Sequence, residues 1–89
     1  MLIGKVIGSV IATRKNDKLT GSKFLIVDAL LDCEPKRVVA VDNVGAGAGE
    51  IVLVTLGSAA RVALDNPAAP VDAAIVGIVD GPDRIIIEA

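Results

Sequence analysis

Three glycines that alternate with alanines form the stretch with the clearest potential for chemistry. Gly45, Gly47 and Gly49 follow the β-branched run Val38–Asp42, and closely spaced glycines can expose backbone N–H groups to a phosphate. A dinucleotide-binding motif needs a helix directly after the glycines, and a P-loop needs Lys followed by Ser or Thr. Here Glu50 follows instead, and then the strand-like run IVLVTL. The stretch therefore predicts a tight structural loop that packs against its own body or a neighbouring chain.

Two carboxylates flank this glycine loop. Asp42 precedes the loop and Glu50 follows it. Short acidic side chains beside backbone N–H groups commonly accept hydrogen bonds from them. We therefore expect Asp42 and Glu50 to bind the N–H groups of the loop, or an arginine of a neighbouring chain, rather than to act in catalysis.

The residue types that most enzymes use are scarce in this chain. It contains no His and a single cysteine, Cys33. The missing His excludes Ser–His and Cys–His nucleophilic chemistry and removes the usual general base and metal ligand. The acidic residues are scattered, and no spacing selects a pair for acid–base work. We expect no enzymatic activity, no metal and no cofactor.

The composition predicts an oligomer. The chain has 89 residues, of which 53% are hydrophobic and 22% charged, and it has one aromatic residue. A single domain of this size buries only about 60–65% of the surface that its unfolded chain exposes. The aliphatic content exceeds what a lone small barrel can hide, and small domains commonly gain stability by association.

Charge and hydropathy argue against two classes of partner. The net charge is −2, and the chain lacks Trp and Tyr, whereas nucleic-acid binding rests on phosphate neutralisation and often on aromatic stacking. No stretch approaches the roughly 20 uninterrupted apolar residues of a membrane span. The start of the chain, MLIGKVIGSVIATRK, has a charge in its middle and does not resemble a signal peptide. We expect a cytoplasmic protein without nucleic-acid or membrane partners.

Hydrophobic patterning predicts five main strands, one short helix and one terminal strand. The main strands are Met1–Thr13, Lys23–Leu31, Arg37–Asp42, Glu50–Leu56 and Val71–Asp80, and the terminal strand is Arg84–Ala89. The helix spans Ser58–Asp65, with Ser58 as its N-cap. This order favours a mainly all-β fold, a small closed or nearly closed barrel that is OB-like in outline but places its helix differently. The first and last strands are apolar on both faces, and Phe24 is expected in the core.

Four segments, in the same order and spacing, resemble the pentameric vertex proteins of bacterial microcompartment shells, the ethanolamine-utilisation and carboxysome type. The segments are GKVIGSVIATRK followed by LTGSKFLIV, then VVAVDNVGAGAGEIVLV, GSAAR and PVDAAIVGIVD. Together they cover nearly the whole chain. The sequence departs from the family in its short Asp32–Lys36 connection, its abbreviated C-terminal part, and Ala59 where many members have a second Ser.

The resemblance implies a single vertex domain, residues 1–89, that assembles into a homopentamer. Such rings fill the corners of a polyhedral shell in the bacterial cytoplasm, and the flat facets of that shell consist of hexameric or pseudohexameric proteins. The resemblance also implies roles for individual residues. The candidates for the subunit contact are Asp42, Gly45, Gly47, Gly49, Glu50 and Arg61. Ser58 would cap the helix, and Arg14 and Lys15 are candidates for the rim that meets the hexagonal tiles.

Two alternatives predict different behaviour. An OB-like barrel that binds a ligand or nucleic acid would need a basic face with aromatic residues. A small enzyme subunit that uses the glycine loop for a phosphate would be protected by nucleotide against thermal unfolding.

The polar stretch Arg14–Ser22 is expected to be a solvated loop or a contact edge toward another protein.

Overall fold

Five strands close into a barrel with one helix on its outside. The computed structural model describes residues 1–88, and within them the strands close in the order β1-β2-β3-β5-β4. The elements are β1 Leu2–Val10, β2 Phe24–Ala29, β3 Arg37–Asp42, β4 Ile51–Leu56, α1 Ser58–Ala63 and β5 Ala73–Val79. Single 3₁₀ turns span Asp17–Leu19 and Pro82–Arg84. The predicted five-stranded barrel with one short helix is confirmed.

The pairing between strands is antiparallel except at one seam. β2 pairs with β1 and with β3, and β4 pairs with β1 and with β5, all antiparallel. The remaining seam joins β3 and β5 in parallel, through Val41 opposite Ala74 and Asp42 opposite Ile75. This seam is short because β3 ends where β5 begins. The β3–β5 pair is therefore the shortest of the strand pairs that close the barrel.

The core follows the two-residue period of the strands. Val27, Val52, Val54 and Ile75 are fully buried inside the barrel, where they pack with smaller aliphatic residues. A second buried cluster lies outside the barrel wall, where α1 and the chain after it cover β3 and β5. Phe24 is half-buried against this second cluster, as the sequence predicted for a core residue.

The outline of the protomer is elongated. Its principal extents are 45 × 23 × 21 Å. The accessible surface is 5636 Å², whereas a compact chain of 9.0 kDa has about 4,900 Å². Large aliphatic side chains contribute to this excess, among them Ile11 at 90%, Val62 at 80% and Ile86 at 76% exposure. An isolated protomer thus leaves apolar surface in water, as the composition predicted.

The predicted strands are up to three residues too long at their ends, and the terminal one is absent from the sheet. The first strand ends at Val10 rather than Thr13, where the polar connection to β2 begins. The predicted terminal strand, residues 84–89, is wrong, because Pro82–Arg84 forms a 3₁₀ turn and residues 85–88 join no sheet. Pro82 fixes φ at the first position of this turn and directs the following residues off the barrel. Ala89 lies outside the described residues.

Candidate subunit interface

The glycine loop is held from inside by Asp42 at the end of β3. Asp42 Oδ1 accepts hydrogen bonds from the N–H groups of Val44 at 3.1 Å, Gly45 at 3.1 Å and Ala46 at 3.2 Å. The Asp42 side chain is only 5% exposed. Such a fan of N–H groups around one carboxylate is possible because Gly45 has a φ of +82°, which costs a glycine little.

Two further side chains, those of Glu50 and Lys23, form hydrogen bonds with the loop. Glu50 Oε1 accepts a hydrogen bond from the Gly47 N–H at 2.7 Å. Lys23 Nζ donates to Ala46 O at 2.9 Å and lies 4.0 Å from Asp42 Oδ2. Ala46 itself is 1% exposed and packs into the barrel core. The sequence predicted that Asp42 and Glu50 would bind the loop, and this option is confirmed; the contribution of Lys23 was missed.

These bonds leave the loop without a phosphate cradle. A phosphate-binding loop needs free N–H groups that converge on the ligand. Here four N–H groups, those of Val44, Gly45, Ala46 and Gly47, already point at carboxylates of the same chain. An added phosphate would have to displace two negative side chains, so the geometry favours a structural loop.

Asp42→Ala is expected to lower the free energy of unfolding by about 2 kcal/mol, because the N–H groups lose their shared acceptor. Asp42→Asn keeps a carbonyl oxygen at the same position and should cost less than about 1 kcal/mol. Chemical denaturation of both variants measures the difference. Equal losses in the two variants would show that the acceptor oxygen is unimportant.

The helix begins differently from the prediction. Gly57, with a φ of +65°, occupies the N-cap of α1, and no side-chain hydrogen bond caps the helix. Ser58 is the first helical residue, so its predicted capping role is wrong. The cause is the close link between Gly57 and the chain before β5, since the Gly57 N–H donates to Asp72 O at 2.8 Å. That link fixes the backbone at Gly57 and shifts the cap by one residue.

Arg61 and the proposed rim residues lie apart from the loop. Arg61 Nη1 donates to Val71 O of its own chain at 3.2 Å. Arg14 and Lys15 are exposed on the connection between β1 and β2, and Lys15 Nζ donates to Ala12 O at 3.1 Å. Asn43, which the sequence did not single out, joins the glycine loop to α1 by donating to Ala63 O at 3.1 Å.

The outer wall of the barrel carries an apolar strip centred on β4. Ile3 of β1 lies opposite Leu53 of β4, and Ile51 of β4 lies opposite Val79 of β5. Their neighbours Val52 and, on β1, Leu2 are buried in the core, so these four side chains point outward. All four are half-buried in the protomer. We call Ile3, Ile51, Leu53 and Val79 the β4 strip.

A second apolar strip lies on a different side of the barrel, centred on β2. Ile26 lies opposite Val39 of β3, and Ile7 of β1 lies beside it at a β-bulge. Ile7 is 46% and Val39 is 52% exposed. We call Ile7, Ile26 and Val39 the β2 strip. The two strips share no residue and are centred on different strands, β4 and β2, so they offer two unlike contact surfaces.

An ion pair borders the β2 strip. Arg37 donates two hydrogen bonds to the Asp28 carboxylate, one of them from Nη2 to Oδ2 at 3.0 Å. The hydrogen bonds from Arg37 hold the pKa of Asp28 below its ordinary value of 3.8, and partial desolvation of the carboxylate acts in the opposite direction. The same contact raises the pKa of Arg37.

This ion pair predicts a pH dependence of stability. Because the folded-state pKa of Asp28 is depressed, its contribution is present above about pH 3.8 and is lost as the pH falls through the lower folded-state value. Asp28→Asn removes the effect. Urea unfolding should therefore show a stability difference between wild type and Asp28→Asn at neutral pH that closes in strong acid. A difference that stays constant into strong acid would contradict this role.

The described residues 1–88 contain no cluster of three metal-binding side chains. Within the same range, no helix is long and apolar enough to cross a membrane. Phe24, the one aromatic residue of the chain, is half-buried in the second core cluster, so it does not form an exposed platform for a base.

The chain is similar to known proteins over nearly its full length. The family described as "Ethanolamine utilisation protein EutN/carboxysome" matches residues 1–80. The microcompartment shell vertex protein GrpN of Rhodospirillum rubrum is 48% identical over 88 residues, which is 96% of this chain and 99% of the relative. The carboxysome shell vertex protein CcmL of Thermosynechococcus vestitus is 48% identical over 87 residues, covering 94% of this chain and 88% of the relative.

A solved structure gives the same result. The GrpN pentameric microcompartment shell protein of Rhodospirillum rubrum superposes with a TM-score of 0.76 at 49% identity, over 91% of this chain and 94% of that chain. Sequence and fold therefore agree along the barrel, the glycine loop and the helix. This protein belongs to the EutN/CcmL family of microcompartment shell vertex proteins.

Proposed function

We propose that five copies of this chain close into a ring that forms a corner of a polyhedral bacterial microcompartment shell. The relatives are named as shell vertex proteins, and one of them is described as pentameric. The chain acts as a structural protein in the bacterial cytoplasm, not as an enzyme. On this proposal residues 1–89 work as a single vertex domain.

The presence of two unlike apolar strips supports the ring most directly. A ring is built from head-to-tail contacts, in which one surface of each copy meets a different surface of the next. The β4 strip and the β2 strip lie on different sides of the barrel and involve different residues. A two-fold dimer would need only one self-complementary patch. Two unlike strips are therefore better suited to a closed ring than to a two-fold dimer.

The glycine loop has a surface suited to close packing between copies. Its N–H groups point inward to Asp42 and Glu50, so the outside of the loop presents mainly small groups. Apart from the glycine itself and its two chain neighbours, no atom of the described residues lies within 4 Å of the place where a Cβ would stand on Gly45 or on Gly49. We propose that a neighbouring subunit fills this space and that the loop, with Gly47, lies at the seam. Arg61, which does not bind the loop of its own chain, is proposed as a further residue of the subunit contact.

The connection between β1 and β2 is the proposed rim toward the hexagonal tiles. Arg14, Lys15 and Lys18 are all exposed there. Lys15 Nζ donates one hydrogen bond to Ala12 O, and its remaining donors, like those of Arg14 and Lys18, can meet carboxylates of a partner. A flat sheet of hexameric or pseudohexameric proteins cannot close by itself, so five-fold units must supply the curvature. Contacts at this rim would join each ring to the surrounding tiles.

Co-expression with a hexameric shell protein tests the vertex function. With the wild-type chain, electron microscopy should show closed polyhedral particles, whereas the hexameric protein alone should give open sheets or tubes. Arg14→Glu combined with Lys15→Glu should reduce the number of closed particles while leaving the ring intact. Equal closure with and without this chain would contradict the proposed function.

A further inference from the structure

Residues 85–88 leave the barrel as an extended apolar segment that makes little contact with its own protomer. Ile86 and Ile87 are each 76% exposed, and Ile85 has extended dihedrals, with φ −93° and ψ 110°. The segment is anchored where the Ile85 N–H donates to Pro82 O at 3.1 Å. Adjacent branched side chains exposed to this degree favour burial against another surface.

The first half of β3 has an edge without a neighbouring strand. On the side away from β2, the strand pairs with β5 only at Val41 and Asp42. Residues 37–40 therefore have no strand partner on that side within the described chain. An open edge of this kind readily accepts an added strand.

Every second residue of β3 directs its backbone N–H and C=O groups toward the free edge. Lys36 O and the Asp42 N–H both form hydrogen bonds toward β2. In an antiparallel pair, alternate residues direct both of their backbone groups to the same side. The N–H and C=O groups of Arg37 and Val39 consequently point toward the free edge. Within the described residues no strand pairs with these groups, because β5 reaches β3 only at Val41 and Asp42.

An apolar groove of about 510 Å³ lies beside this edge. Its lining includes Val38 and Val39 of β3, Leu56 of β4 and Ala73 of β5. The groove thus occupies the space where the short β3–β5 seam leaves a strand missing. An extended segment bound here would gain backbone hydrogen bonds and bury branched side chains at the same time.

We infer that residues 85–88 of one protomer bind in this groove of the neighbouring protomer as an added strand along β3. The inference rests on the proposed ring, which brings a second copy against the β2 strip that contains Val39. The segment supplies what the groove lacks, an extended backbone with apolar side chains. Glu88 follows the isoleucines, and Lys36 and Arg37 stand at the start of β3. Both cations pair with carboxylates of their own chain, Asp32 and Asp28, and each keeps further N–H donors that a carboxylate of the neighbouring copy can accept from.

Each copy would give one segment and receive one, which is the arrangement that a head-to-tail ring requires. The occupant of the groove is therefore a second copy of this chain. Folding back of the segment onto its own protomer and binding of another shell protein are the competing outcomes that the experiments below separate.

The double variant Ile86→Ser/Ile87→Ser tests the energetic contribution of the segment. Both side chains are exposed in the protomer, so the fold of the protomer should be unchanged by circular dichroism. The concentration at which the ring dissociates should rise by at least about tenfold, because two buried branched side chains are lost at each contact. Ile11→Ser, a matched change at a residue that is 90% exposed elsewhere, should leave it unchanged. Dissociation of the double variant at the wild-type concentration would overturn the inference.

Cysteine cross-linking tests the location of the segment. In a Cys33→Ala background, Val39→Cys with Ile87→Cys should give, on oxidation, a ladder of covalent species up to five chains. Ile11→Cys with Ile87→Cys is the matched control and should give none. A ring that yields no ladder, or only an internal bond within each chain, overturns the inference and leaves the ring standing. An unsubstituted chain that forms no ring contradicts the proposed function itself.

Discussion

Replacing Gly4 with alanine is expected to lower the free energy of unfolding by about 3 kcal/mol, the upper range for overpacking a core. Gly4 lies in β1 opposite Ala29 of β2 and is buried. A Cβ at this position would overlap Val27 Cγ1 and lie 2.7 Å from Asp28 O. The second contact is to backbone, which cannot rotate away, so β1 and β2 would have to separate.

Gly8, in the same strand, provides the control for Gly4. The nearest atom to a Cβ at Gly8 is Ile26 Cδ1 at 3.8 Å, an ordinary contact distance. Gly8→Ala should therefore be tolerated, with a change within about 0.5 kcal/mol. Urea denaturation of the two variants measures both values. Equal stability of Gly4→Ala and Gly8→Ala would show that β1 and β2 do not approach as closely as described.

Leu53→Glu is expected to convert the ring into monomers at micromolar concentration. Leu53 lies in the middle of the β4 strip, opposite Ile3, and is half-buried in the protomer. If the neighbouring copy covers this strip, the variant buries an unpaired charge at every contact, at a cost of about 3 kcal/mol or more each. A loss of this size weakens each contact at least about 100-fold.

Two measurements separate a damaged contact from a damaged protomer. Light scattering gives the assembly state, and circular dichroism reports whether the barrel is folded. Ile11→Glu is the matched control, because Ile11 is 90% exposed on the β1–β2 connection, outside both strips. It should keep the ring. A Leu53→Glu protein that remains fully assembled would mean that the β4 strip does not form the seam.

The barrel was predictable because each strand carries its own signal. The β-branched runs around Val39, Val52 and Ile75 have high strand propensity, and Asn66-Pro67 favours the end of the helix. The hydrogen bonds that Asp42 and Glu50 accept from the glycine loop were also predictable, because both residues flank the loop in sequence. Local features of this kind depend on only a few adjacent residues.

Features that depend on which strands meet were not predictable. Lys23 reaches Ala46 across 23 positions of sequence, and only the register of β2 on β3 brings them together. The free edge of β3 exists because β5 pairs with β3 over a short stretch, which no pattern within either strand indicates. The cap at Gly57 rather than Ser58 likewise follows from a hydrogen bond to Asp72 O, which belongs to a distant part of the chain.

The strand predicted at residues 84–89 is wrong for a related reason. The sequence Arg84-Ile85-Ile86-Ile87 has strong β propensity, and propensity alone predicts a strand. A strand also needs a neighbour, and within the described protomer residues 85–88 have none. If the inference about the groove is correct, the sequence indicated a strand that forms only between protomers.

Native mass spectrometry of the unsubstituted protein over a dilution series tests the ring most directly. We expect one dominant species of about 45 kDa, five chains of 9.0 kDa each, at low micromolar concentration. A dominant mass of 9.0 kDa at that concentration, or a complex with a number of chains other than five, would contradict it.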